Sequence, residues 1–145
     1  MSTQVYEAVF HISENQFQLI DSGVVPELGA EFGPLIVPFV AGGFAVYCGI
    51  SDGPVQLRAE VLTAPPSTGA GDWEEAAEIA FHAPAGSVRV VPLFADPVPE
   101  IPAVTSGPGT YRARVHARGW STARNRFVDV PTEKYLIQVW PEAAG

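Results

Sequence analysis

Tyr111, Ala113, Val115 and Ala117 alternate without a break with Arg112, Arg114, His116 and Arg118. In an extended strand this period of two sends one set to each face, whereas a helix would scatter both sets around its circumference. The same alternation recurs along the chain. Tyr6, Ala8, Phe10 and Ile12 form one apolar face opposite Glu7 and His11. Val55, Leu57, Ala59 and Val61 interleave with Gln56, Arg58 and Glu60. Tyr135, Ile137 and Val139 alternate with Leu136, Gln138 and Trp140, which predicts a strand covered on both faces and stopped by Pro141. Turn residues punctuate these runs. About eight short strands with little helix predict an all-β, antiparallel β-sandwich in preference to a closed barrel. The 145 residues show no compositional break between two cores, so residues 1–145 are expected to form one sandwich domain.

The connections carry their own expectations. Asn15 suits a turn between the first strand and Phe17–Ile20. Asp52-Gly53 suggests a hairpin joining Phe44–Cys48 to Val55–Val61, and Pro84 to Gly86 a second one joining Ile79–Ala83 to Val88–Pro92. Ala64 to Gly71 reads as a surface loop. Asp72, as an N-cap before Glu74 and Glu75, predicts at most one helical turn; the alternative is a strand beginning at Glu78. Residues 95–109 hold Pro97, Pro99, Pro102 and Pro108, which predicts an irregular crossing between sheets. Residues 32–50 are uncharged, but Pro34, Pro38, Gly42 and Gly43 read as two strands and a turn and not as a membrane span.

Charge restricts the partners. The formal net charge is −8, and it is uneven: residues 1–109 carry thirteen acids against Arg58 and Arg89, while residues 110–145 carry six basic residues against three acids. An acidic chain lacks the clustered cations that displace phosphate counterions, so direct nucleic-acid binding is not expected. The C-terminal arginines either pair with acids across the sheet or leave an acidic face for a basic partner. Cys48 is the single cysteine, set in an apolar run, and reads as a buried free thiol. With an N-terminus that has neither the basic nor the apolar region of a secretory signal, it points to a cytoplasmic protein.

No pattern of catalytic residues stands out. Gly49-Ile50-Ser51-Asp52-Gly53 matches G-x-S-x-G, but a strand pattern follows where a nucleophile elbow needs a helix. His11, His82 and His116 lack metal-ligand spacing, so neither a metal nor another cofactor is expected. Asp72, Glu74, Glu75 and Glu78, with Trp73 among them, form the candidate partner-binding patch. A second candidate surface is Arg112, Arg114, His116 and Arg118 with Trp120, for which cross-strand ion pairing is the simpler reading.

Ile12-Ser13 followed by Gln16-Phe17, then Trp73-Glu74-Glu75-Ala76, Ile79 to Ala83, Gly86-x-Val88 and Gly109-x-Tyr111 resemble the pattern of the competence protein J family. Members of that family are small inhibitors of a DNA-entry nuclease. The resemblance implies stoichiometric inhibition, with carboxylates standing in for substrate phosphates on a basic cleft. Tyr111 to Gly119 and Leu136 to Pro141 also resemble segments of uncharacterised bacterial proteins, which imply no function. Function is thus expected to be that of a non-enzymatic acidic binding protein, an inhibitor or immunity protein for a nuclease or toxin. The alternatives are a small hydrolase with a carboxylate or histidine cleft, and a structural or carbohydrate-binding module marked by an exposed Trp73 or Trp120 beside a groove.

Overall fold

In the computed structural model the alternating runs become nine strands in two sheets, described here for residues 3–26, 35–67 and 71–142. The strands are β1 (Gln4–Ile12), β2 (Gln16–Ile20), β3 (Ile36–Pro38), β4 (Gly43–Tyr47), β5 (Gly53–Val61), β6 (Glu75–Ala83), β7 (Arg89–Pro92), β8 (Gly109–Arg118) and β9 (Lys134–Pro141). One sheet has the order β1-β5-β9-β8-β6, the other β3-β4-β2-β7. Every pairing is antiparallel except β5 with β9, which runs parallel. A parallel neighbour needs a long crossover. Here it takes in three strands and the four connections around them.

The inner faces are those the alternation assigns. Ile12, Val55, Leu57, Phe81, Val115, Tyr135 and Ile137 from the larger sheet meet Phe17, Leu19, Phe44, Val46 and Val90 from the smaller one in a single core cluster. Phe17 anchors the middle, with its ring edge-on to Phe10 at 5.3 Å and to Tyr135 at 5.5 Å. Both faces of β9 are covered, as expected of it. Residues 95–109 do cross between the sheets, and on the way they cover the free edge of β7. Val98 N–H donates to Val90 O (2.9 Å) and Val104 N–H to Val88 O (2.9 Å), so an edge that would otherwise stay open is closed.

Three local expectations are corrected. Asp52-Gly53 is not a hairpin turn: β4 and β5 belong to different sheets, and the chain crosses between them. The same is true of Pro84 to Gly86, because β6 and β7 lie in opposite sheets. Alternation identifies the side chains that share a face and leaves open which strands pair. The helical turn at Asp72 is also absent. Glu75 already pairs with Ala117, and Glu74 N–H donates to Ala117 O (2.9 Å), so the β8 ladder takes the backbone donors that a helix would have used. Of the loop at residues 64–71, residues 68–70 lie outside the described residues, as do residues 32–34 of the uncharged stretch. The described remainder of that stretch is β3, a Gly42-Gly43 turn and β4. Among the described residues no helix is long and apolar enough to cross a membrane.

Candidate functional site

The register of β6 against β8 brings the two surfaces picked out from the sequence together as one. Glu78 faces Arg114 across the ladder. Its two carboxylate oxygens bridge Arg112 Nε (2.9 Å) and Arg114 NH2 (2.8 Å), and Arg112 also reaches Glu142 (3.3 Å). Desolvation works against ionisation of Glu78, yet the two guanidinium groups hold its carboxyl below the usual carboxylate range. Toward the β1 edge of the same face Arg58 pairs with Glu7 (3.0 Å) and Glu60 (2.9 Å), and Gln138 Nε2 donates to Glu60 (2.9 Å). Glu7, Glu60, Glu74, Glu78 and Glu142 thus share this outer face with Arg58, Arg112, Arg114, Arg118 and Lys134. The face is balanced in charge, so the surplus of −8 lies elsewhere on the molecule.

The acidic patch is divided by the strand that carries it. Successive residues of a strand point to opposite faces, so Glu75 lies on the other side of β6 from Glu74 and Glu78. Glu74 accepts Ser121 N–H (2.9 Å), and the backbone carbonyl of Asp72 accepts Arg118 Nε (2.8 Å). Trp73 is half-buried, with the Arg118 guanidinium 4.8 Å from its ring centre and the His116 ring at 5.4 Å. Asp72 and Glu75 are exposed. His116 is buried; desolvation lowers its pKa, partly opposed by its hydrogen bond to Leu136 O. His11 and His82 sit on β1 and β6, the two edges of the five-stranded sheet. Four strand spacings, about 19 Å, separate them, so they do not share a ligand.

Two buried acids escaped the sequence reading. Glu133, 2% exposed, accepts Gly49 N–H (3.0 Å), Ile50 N–H (2.6 Å) and the Tyr135 hydroxyl, and so fastens the β4–β5 crossing to the loop before β9. Desolvation raises its pKa against these bonds. Gly49 is needed there, because a Cβ would lie 1.9 Å from Trp120 O. Asp21, also 2% exposed, fastens the β6–β7 crossing by accepting N–H groups of Ala85 (2.6 Å), Gly86 (3.2 Å) and Ser87 (2.7 Å), besides that of Ser22 (2.9 Å). Desolvation pushes its carboxyl upward, but the four donors outweigh it and hold the pKa below its ordinary value. Cys48 is buried as expected, and desolvation pushes its thiol far up, which keeps it protonated and a poor nucleophile. Ser51 lies on the β4–β5 crossing with its hydroxyl donated to Asp52 (2.7 Å), and the next element is β5, not a helix.

A concavity of about 650 Å³ opens at the end of the sandwich where the β1–β2 turn, the β4–β5 crossing, the turn after β7 and the 119–133 loop converge. Trp120 lines it, half-buried, donating its indole N–H to Tyr47 O (2.9 Å), with the Arg124 guanidinium 4.6 Å from its ring centre. The broad ring face that a sugar would need is therefore occupied. Glu14, Asn15, Phe94 and Asn125 also line this groove, at φ 56°, 61°, 65° and 59°. These are the four non-glycine residues with positive φ among those described. Asn tolerates that region well, while a residue such as Phe pays roughly 1–2 kcal/mol to stay there. Phe94 is in addition 87% exposed.

The arrangement defines the chain first as a two-sheet β-sandwich. Two solved structures share it over their whole length. ComJ from Bacillus subtilis, described as an inhibitor of the DNA degrading activity of NucA, superposes with a TM-score of 0.67 at 11% identity, over 98% of this chain and 100% of that one. The structure described as crocagin biosynthetic gene J gives a TM-score of 0.66 at 14% identity, over 99% and 100%. The resemblance to the competence protein J family therefore holds at the level of the fold. No protein-family model and no curated protein sequence matches the chain.

Proposed function

We propose that this chain is a non-enzymatic binding protein that inhibits a basic, DNA-degrading protein partner inside the cell. The observation that carries this reading is the full-length likeness to ComJ, whose description is that of a nuclease inhibitor. The charge distribution supplies the chemistry. A surplus of −8 kept off the ion-paired sheet face is available to steer a basic partner, and such steering mainly speeds association and selects the partner. Of the patch predicted from sequence, Asp72 and Glu75 are the acids free to contribute most, because Glu78 is held by Arg112 and Arg114 and Glu74 by Ser121 N–H. The hydrolase reading has less support. The buried titratable groups Glu133, Tyr135, Cys48 and Asp21 are engaged by backbone donors or by one another, and Cys48, which lines the larger groove, is kept protonated by desolvation.

The test is affinity capture from the source cell's lysate at low and high salt. Each captured protein is then assayed for DNA hydrolysis with and without the purified chain. The expected result is a basic nuclease, retained at low salt, whose activity falls in proportion to added chain and reaches zero at a fixed stoichiometry. Capture of no nuclease, or capture without inhibition, overturns the proposal.

A further inference from the structure

Phe94 stands on the turn closed by Ala95 N–H donating to Pro92 O (3.2 Å), between two grooves that both count Leu93 and Phe94 in their walls. It is nearly fully exposed and held at a backbone angle that an aromatic residue rarely adopts. Neither cost is repaid inside the protein, since an exposed ring adds nothing to the core and glycine would relieve the backbone. The surroundings, by contrast, are fixed in place. Asn15 Nδ2 donates to Ile50 O (2.9 Å) and to Asn125 Oδ1 (3.3 Å), and Trp120 is pinned by Tyr47 O and covered by Arg124. An exposed aromatic ring beside a rigid, partly apolar groove is the makeup of an interface anchor. The flanking charge decides what it suits: Glu14 is offset by Arg124 in the larger groove, while Asp96 lines the smaller one with no basic residue beside it among the described lining residues, on a chain whose balance is acidic.

We infer that the Leu93-Phe94 turn and the grooves on either side of it form the docking surface for an apolar side chain of a protein partner flanked by lysine or arginine. The inference rests on the reading of the chain as a binder of a basic protein, and adds the apolar anchor that acidic residues do not provide. Its occupant is a short basic-apolar segment. Phe94 packs on the apolar group while Asp96 meets a flanking cation.

Amide chemical shifts of the intact chain, titrated with a capped pentapeptide of phenylalanine between two pairs of lysines, test this directly. Shifts confined to residues 14–20, 47–48, 91–96 and 120–125 are expected. Replacing the lysines by glutamates, or the phenylalanine by alanine, is expected to weaken binding at least tenfold. Phe94→Gly should also weaken it at least tenfold without lowering Tm, because glycine accepts the positive φ, and Asp96→Lys should weaken it about threefold by charge reversal. Shifts elsewhere, no shifts, equal binding of the glutamate peptide, or unchanged binding by Phe94→Gly each overturn the inference. Lysate capture separates it from the broader proposal. If the wild-type chain retains a nuclease and Phe94→Gly retains it equally, the docking surface falls and inhibition stands; if the wild type retains none, inhibition falls and the peptide titration still decides the groove.

Discussion

The outer face of the five-stranded sheet and the two crossings between sheets both rely on carboxylates, in opposite ways. On the face, ten charged side chains share the surface, and Glu7, Glu60, Glu78 and Glu142 each pair with one or two of Arg58, Arg112 and Arg114. At the crossings, one acid apiece, Glu133 or Asp21, meets backbone N–H groups away from water. Exposed ion pairs contribute little, because water screens them and long side chains lose freedom on pairing. A buried carboxylate that alone satisfies several backbone donors is worth much more, since its loss strands all of them. The abundant charges thus set the molecule's surface, and the solitary ones hold its loops.

Removing the solitary acids is the way to break that contrast. Glu133→Ala is expected to cost about 3–5 kcal/mol, as it orphans two buried N–H groups and the Tyr135 hydroxyl; urea unfolding followed by fluorescence measures it. A loss under about 1 kcal/mol would put Glu133 in the same class as the surface acids. Asp21→Asn should cost about 2–3 kcal/mol by turning one acceptor oxygen into a donor facing donors.

The two acids should also respond to pH with opposite sign. Asp21 titrates below its ordinary value, so its contribution is complete above about pH 3.9 and is lost as pH falls through the lowered folded-state pKa. Asp21→Asn should flatten that acid limb. Glu133 titrates above its ordinary value, so stability rises as pH falls from the raised folded-state pKa toward about 4.3 and is level below it. Glu133→Gln should abolish that rise, and urea midpoints collected from pH 3 to 8 would show both. The smallest effect belongs to the face: Glu78→Ala should cost less than about 1 kcal/mol, and a larger loss would mean that its two arginine pairs act as one network.

Much of this architecture can be read from residue order. The alternations at 6–12, 55–61, 111–118 and 135–140 give strands and inward faces that the structure shares, and Arg112 and Arg114 do pair across the ladder, while Arg118 bonds the Asp72 carbonyl instead. What alternation cannot convey is the partner of each strand, hence the two crossings read as hairpins at Asp52-Gly53 and Pro84–Gly86. Closeness in sequence was a poor guide to the acidic patch too, because the pleat of β6 parts Glu75 from Glu74 and Glu78. Glu133 and Asp21 gave no local sign, since their partners lie 83 and 84 residues away for Glu133 and 64 to 66 for the crossing bound by Asp21. Nothing in the sequence singles out Phe94. Only its turn puts it outside.

The parallel pairing of β5 with β9 has a consequence for how the chain assembles during synthesis. β9, last of the nine along the chain, lies at the centre of its sheet, with the β1-β5 pair on one side and the β8-β6 pair on the other. A nascent chain that has not reached Lys134 holds two separate hairpin-like ribbons whose inner edges are unpaired, and unpaired edges invite association with other chains. Completion of the larger sheet therefore waits until Lys134–Pro141 has been made, and β9 closes the edges that the strands before it expose.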